Sequence, residues 1–207
     1  MRICAVGCGA IANAMHGPAY AQYAAANPNA VLAACCDTDA QKAGAFKKTF
    51  GFHKAYTDAD EMLDKESPGV VCVINPVELN AGMAEKVLQR GIPLLLEKPP
   101  GRTAAECISL IKLADEKRVP HRVAFNRRYA PLIITLKTEL SARFAPSAIQ
   151  FIRYDMFRVN RANEDFSTTA VHAVDTAKYL AGSDYKNARF TYRPYPQYGE
   201  KTADIPA

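Results

Sequence analysis

Short apolar runs alternate with longer amphipathic stretches through the first 125 residues. The apolar runs cover residues 3–6, 31–36, 70–74, 93–96 and 122–125, each four to six residues long. Runs of that length, with few charges inside, predict strands buried on both faces of a parallel sheet. The stretches between them carry a helical period. Residues 39–50 offer Ala40, Ala43 and Phe46. Residues 78–90 place Leu79, Met83, Val87 and Leu88 on one stripe, and Gly91 follows as a C-terminal stop. Residues 103–118 open on Thr103 with Glu106 three positions later, the spacing of a capping box, and Ile108, Leu110, Ile111 and Leu113 supply an apolar face. Strand and helix in alternation predict a doubly wound α/β domain over residues 1–125.

The pattern changes near residue 126. A helix is predicted over 130–144. Residues 148–159 alternate in part, with Ile149, Phe151, Tyr154 and Met156 spaced as in a strand with one solvated face. A further helix is predicted over 169–180, closed by Gly182, and a second strand over 187–192. From Pro194 onward three prolines mark an irregular tail. Residues 126–207 therefore read as a partial α+β domain.

Composition narrows the function classes. The chain has 207 residues, 49% of them hydrophobic, enough for a core. The net charge of +5 is spread along the chain in isolated residues and short pairs such as Arg127-Arg128, which argues against a nucleic-acid partner. No apolar run approaches the roughly 20 residues that span a bilayer, so no membrane partner is expected. The N-terminal residues run straight into glycines and read as a first strand, not a secretory signal. Six cysteines, most inside apolar runs and none with CxxC spacing, argue against a disulfide framework or a metal site and fit a cytoplasmic protein.

Candidate chemistry sits at the strand ends. Gly7-Cys8-Gly9-Ala10-Ile11-Ala12 follows the first strand and opens a helix, in the pattern GxGxxA. The first glycine permits the turn, the second lets a pyrophosphate reach the backbone, and the small last residue lets helix and strand pack. The helix N-terminus adds unpaired N–H groups and partial positive charge. Such a loop alone also occurs as an incidental turn. Asp37 ends the second strand, 28 residues after Gly9. A carboxylate there binds ribose hydroxyls and opposes a 2′-phosphate, and the next residue is Thr38 rather than arginine, so NAD is favoured over NADP. Glu97-Lys98-Pro99 leaves the 93–96 strand at the end where ligands bind open α/β sheets; Lys98 is either a cofactor-side lysine or a surface lysine in a turn. Asn126, Arg127 and Tyr129, just after the last strand, are either substrate contacts or ordinary hinge residues.

Five segments together carry a resemblance: residues 5–12 with His16, Cys36-Asp37, Ile74-Asn75-Pro76, Glu97-Lys98-Pro99 and Val171-His172-Ala173-Val174-Asp175. In this order and spacing they resemble the Gfo/Idh/MocA oxidoreductases. The resemblance implies a Rossmann domain with Gly7, Gly9, Ala10, Ile11, Asp37, Asn75, Pro76, Glu97 and Lys98 at the dinucleotide. It implies a second, sheet-containing domain that holds substrate and mediates oligomers, here a homo-oligomer such as a dimer. It implies hydride transfer between NAD and a sugar, cyclitol or related polyol, with Lys98 and His172 catalytic. A lone helical histidine is more often structural; the resemblance makes His172 the proton acceptor. Asp175, one turn on, matches a second acidic position that binds or orients. Two positions depart from the pattern. Thr168 stands where many members carry an aspartate and is expected to bind substrate by its hydroxyl. Asn80 stands where a histidine is common. The 126–207 segment is short for the substrate domain, so the alternative is a non-catalytic or truncated dinucleotide-binding or interaction protein of the same fold.

Overall fold

The computed structural model describes residues 1–156, 167–189 and 191, without the side chains of Ser167 and Thr168. The chain divides into two compact units, residues 1–124 and 125–207.

The first unit is built on six parallel strands: β1 (Arg2–Val6), β2 (Val31–Cys36), β3 (Lys54–Tyr56), β4 (Val70–Val73), β5 (Leu94–Leu96) and β6 (His121–Val123). Their order across the sheet is β3-β2-β1-β4-β5-β6. The direction of winding reverses between β1 and β4, the switch point of a dinucleotide-binding sheet. Alternation along the strands feeds two cores. Cys4, Val6, Cys36, Val71, Val73, Leu94 and Leu96 pack on one face with Met62, Met83, Val87 and Leu88. Ile3, Ala5, Leu32, Cys35, Cys72 and Ile74 pack on the other with Tyr20, Phe46 and Phe52. Both faces are covered, which is why the central runs carry almost no charge.

The helices are α1 (Gly17–Ala26), α2 (Ala40–Phe50), α3 (Ala59–Glu66), α4 (Val77–Gln89) and α5 (Ala104–Lys117). A π-helical turn over Ala12–His16 precedes α1 without a break. Caps explain the boundaries. The Asp39 side chain accepts the N–H groups of Gln41 and Lys42 at the start of α2. Thr103 accepts from Glu106 at the start of α5 at 3.2 Å, while the Glu106 carboxylate accepts the Arg102 N–H, one residue before the reciprocal position of a capping box. Gly51, at φ +80, closes α2. β3 and α3 were not predicted. β3 has three residues with no fully buried side chain, and α3 buries only Met62, Leu63 and Glu66. Glu66, 2% exposed at its side chain, accepts from Arg2 at 2.5 Å, Lys54 at 2.8 Å and the Tyr56 hydroxyl at 2.5 Å, tying α3 to β1 and β3.

The second unit carries 3-10 turns at Asn126–Tyr129 and Pro146–Ala148 and the helices α6 (Pro131–Arg143) and α7 (Ser167–Ala181). Gly182, at φ +68, follows α7. Lys137 of α6 reaches the Leu180 carbonyl at 3.3 Å and lies over the Tyr179 ring of α7. The strand expected from residue 148 is not formed. Ala148 ends a 3-10 turn, and residues 149–156 belong to no sheet. Alternation supplies a face, but a strand also needs a hydrogen-bonded neighbour, and among the described residues this unit has none. Residues 187–189 and 191, expected in the second strand, are likewise outside any sheet. Residues 157–159, 190 and 192 and the expected irregular tail lie outside the described residues.

Candidate active site

The glycine loop is shaped by what each residue cannot carry. Gly7 sits at φ +96, and a Cβ there would fall 2.2 Å from the Ile74 carbonyl oxygen and 2.8 Å from Asn75 Oδ1. Its N–H donates to the Cys36 carbonyl at 2.8 Å, which closes the turn against β2. Gly9 differs: a Cβ there would meet nothing within 4 Å. The missing side chain leaves open space beside the backbone, the room a pyrophosphate requires. Ala12 is fully buried, where a larger residue would push helix from sheet. The Asn13 amide donates to the carbonyls of Cys8 at 2.8 Å and Gly9 at 2.9 Å. The Asp37 carboxylate accepts from the Cys8 N–H at 2.8 Å and the Asp39 N–H at 3.0 Å. The carboxylate at the end of β2 is thus held against the loop. Ala10 and Ile11 are exposed at the helix start. These residues fit a dinucleotide: space at Gly9, N–H groups at a helix terminus and an anchored carboxylate.

On the β4 side, half-buried Asn75 lies against Gly7, and Pro76 is the residue before α4. On the β5 side, Glu97 continues the ladder through its N–H to Val73 at 2.9 Å. Lys98 follows, half-buried, with a cis peptide bond to Pro99. Three side chains and one main-chain donor fix this turn. The Asn80 amide, 1% exposed, donates to Pro99 at 2.9 Å and Glu97 at 3.3 Å. His16 Nε2 meets Glu97 Oε1 at 2.8 Å, and its Nδ1 meets the Tyr20 hydroxyl at 3.1 Å. The other Glu97 oxygen accepts the Lys98 N–H at 2.9 Å. Burial raises the Glu97 carboxyl, but the His16 bond and charge together with the Lys98 N–H and charge outweigh it and hold it below the ordinary glutamate value. Burial also pushes the Cys4 and Cys72 thiols up to about 11 and Cys36 up to about 12, so they stay protonated near neutrality. Among the described residues no group of three or more His, Cys, Asp or Glu is placed to hold a metal ion.

Residues 1–125 match the model of the Gfo/Idh/MocA proteins, an oxidoreductase family with an NAD-binding Rossmann fold. The chain belongs to this family. The D-apiose dehydrogenase of Paraburkholderia graminis is 26% identical over 174 residues, 79% of this chain and 46% of that protein. The inositol 2-dehydrogenase of Leifsonia xyli subsp. xyli is 25% identical over 170 residues, 79% of this chain and 49% of its own length. Among solved structures, an NAD binding oxidoreductase from Klebsiella pneumoniae superposes with a TM-score of 0.63 at 27% identity, over 69% of this chain and 39% of that one. The Gfo/Idh/MocA chain thus spans about half the length of the curated relatives it matches.

The second unit of this Gfo/Idh/MocA chain holds the other expected site residues. His172 is 7% exposed, and Thr169, Asp175 and Thr176 on the same stripe of α7 are also buried. A buried polar stripe costs desolvation that an apolar face would not. Asp175 accepts from Arg128 through both oxygens, one at 2.8 Å. That pair holds the Arg128 guanidinium above its ordinary value and pins the 126–129 turn to α7. Asp175 therefore orients Arg128. Arg127 donates to the Tyr154 hydroxyl at 2.7 Å, Asn126 is exposed, and Tyr129 is 72% exposed. Thr168 falls in α7, with its side chain outside the described residues. Gly7, Gly9, Ala10, Ile11, Asp37, Asn75, Pro76, Glu97 and Lys98 come together at the sheet's carboxyl ends in the first unit; Asn126, Arg127, Tyr129, Thr168, His172 and Asp175 lie in the second. Sequence reasoning missed Asn13 and Tyr20 and gave His16 and Asn80 no partners. For Asn13 a signal exists, a side-chain amide donor in the first turn after a glycine loop whose carbonyls lie within its reach. His16 and Glu97 are 81 residues apart, and no local pattern joins them.

Proposed function

We propose that this chain is an NAD-dependent oxidoreductase, transferring hydride between nicotinamide and a CH–OH group of a sugar, cyclitol or related polyol. One observation carries the reading. The open loop at Gly9, the anchored Asp37 and the clamped Glu97-Lys98 turn converge at the strand ends around the β1–β4 switch point.

NAD, when bound, supplies the nicotinamide that accepts or gives the hydride. The chain's own groups do the rest. The loop at Gly9, Ala10 and Ile11 holds the pyrophosphate through main-chain N–H groups at the helix terminus. Asp37 accepts from the adenosine ribose hydroxyls, and its charge opposes a 2′-phosphate, so NAD is preferred to NADP. Asn75, Pro76 and Glu97 border the same crevice. Lys98 donates a hydrogen bond to the reacting hydroxyl oxygen and stabilises charge that develops as its proton leaves. His172 takes that proton. Asn126, Arg127, Tyr129 and Thr168 bind the remaining hydroxyls, and Asp175 orients Arg128.

Calorimetric titration of the 207-residue chain with NADH and NADPH, followed by turnover on a sugar and polyol panel, tests this reading. Micromolar NADH binding, about 8 kcal/mol, and weaker NADPH binding are expected. Lys98→Ala should abolish turnover and leave NADH affinity within about twofold. Failure to bind either nucleotide would refute the proposal. Binding with no turnover across the panel would favour a non-catalytic dinucleotide-binding protein, the reading that Thr168 in the aspartate position supports. Assembly and setting belong to the same proposal. Leu132 at 78% and Phe151 at 82% exposure support a homo-oligomer such as a dimer, and six free cysteines support a cytoplasmic setting. No helix among the described residues is long and apolar enough to cross a membrane.

A further inference from the structure

The helix that follows the glycine loop and the turn that carries Lys98 are joined by one side-chain bridge. His16 stands at the end of the π-helical turn Ala12–His16, where the Gly17 N–H returns to the Ala12 carbonyl. One residue more per turn rotates every later side chain by about 100° relative to an unbroken α-helix. In this phase the imidazole faces Glu97. The side chains are 14% and 12% exposed, so solvent competes weakly for either partner. An ionised carboxylate only accepts, so Nε2 carries the proton of the 2.8 Å bond. Nδ1 is fixed by the hydroxyl of Tyr20, itself 8% exposed. The ring is therefore held at both nitrogens. Glu97 is held at both oxygens, by His16 and by the main-chain N–H of Lys98.

We propose that His16 is a positioning residue that locks Glu97, and through Glu97 the backbone of Lys98, to the helix that opens at the dinucleotide loop. The inference rests on the reading above only in giving Lys98 a catalytic task; the lock itself is made of this chain's own side chains and main chain. His16 touches no reacting atom. It fixes the angle at which the Glu97-Lys98-Pro99 turn leaves β5, and Asn80 fixes the far side of that turn through the Glu97 and Pro99 carbonyls. A lysine with a long flexible stem gains precision when its own main chain is immobile.

Amide exchange measured by NMR on the full 207-residue chain reads the lock without cofactor or turnover. The Lys98 N–H, which donates to Glu97, should exchange about tenfold faster in His16→Ala, as a local opening. The N–H groups of Ala5 and Val71 in β1 and β4 should be unchanged. His16→Gln keeps a donor toward Glu97 and should restore at least half of the lost protection. Calorimetry with NADH on each variant should give affinities within about twofold of the parent chain. Unchanged Lys98 exchange in His16→Ala would overturn the proposal. Equal acceleration of every amide would also overturn it, because His16 would then support only global stability. Failure of the parent chain to bind NADH would sink the oxidoreductase reading and leave the exchange result to decide the lock.

Discussion

Gly7→Ala and Gly9→Ala change the same atom two residues apart and should give opposite phenotypes. At Gly7 the new methyl meets two penalties. A φ of +96 is a left-handed conformation that costs an L-residue about 1–2 kcal/mol. The Cβ would also lie 2.2 Å from the Ile74 carbonyl oxygen, well inside contact distance, and that partner is main chain. Ile74 cannot turn aside, since its own N–H is bonded to Val6 at 2.7 Å in the centre of the sheet. Overpacking of this kind costs about 1–3 kcal/mol. The combined loss is about 3 kcal/mol, and at about 4 °C per kcal/mol for a domain of this size Tm should fall by about 12 °C. At Gly9 the backbone is not left-handed and the methyl enters open space, so Tm should shift by less than about 1 °C. The same methyl stands where the pyrophosphate must approach, and NADH affinity should fall at least about tenfold, or 1.4 kcal/mol. Differential scanning fluorimetry and an NADH titration on both variants settle it. A Gly7→Ala chain that melts with the parent would refute the steric argument. A Gly9→Ala chain that binds NADH as the parent does would refute the assignment of that space to the cofactor.

Three further outcomes are expected. Asp37→Ser should weaken NADH by about tenfold and narrow the preference over NADPH, because the charge opposing a 2′-phosphate is gone; an unchanged ratio in parallel titrations would remove Asp37 from the ribose site. Glu66→Gln should change the acid limb of stability: hydrogen bonds from Lys54 and Tyr56 outweigh burial and depress the Glu66 carboxyl, so its stabilisation is complete above the unfolded value near 4.3 and is lost as pH falls through the lower folded value. Urea unfolding of parent and variant between pH 2 and 6 should therefore converge toward the acid end, and a constant gap would contradict the linkage. Asn80→Ala should leave the Glu97 and Pro99 carbonyls without their amide donor and lower stability by about 1–2 kcal/mol, measurable as a shift in urea midpoint; a variant as stable as the parent would show that water replaces the amide at no cost.

The first unit was legible because its signals are local and strong. Val31-Leu32-Ala33-Ala34-Cys35-Cys36 has no charge because both faces of β2 are covered, and GxGxxA has its form in part because Gly7 and Ala12 lack atoms that the fold excludes. Thr103 announces α5 through a cap that the chain uses. β3 and α3 left no comparable trace. Lys54-Ala55-Tyr56 lies at the sheet edge with little buried surface, and α3 is secured by a carboxylate that draws its partners from β1 and β3. Such a contact is tertiary, and no window of sequence contains it.

The second unit shows the converse limit. Ile149, Phe151, Tyr154 and Met156 carry a strand-like pattern, yet Phe151 is 82% exposed and no ladder forms among the described residues of this unit. A period of two states which face a strand would bury, and the burial and pairing must come from another segment. Residues 157–166, 190 and 192–207 lie outside the described residues. α6 argues the same way: it buries none of Leu132, Ile134 or Leu136. The Arg128–Asp175 pair, by contrast, is complete within the unit and fixes the 126–129 turn on α7. The expected substrate-side residues Asn126, Arg127, Tyr129 and His172 all sit on the two elements that this pair joins. Their mutual arrangement is thus tied by a contact between side chains 47 residues apart, which no local window of sequence contains.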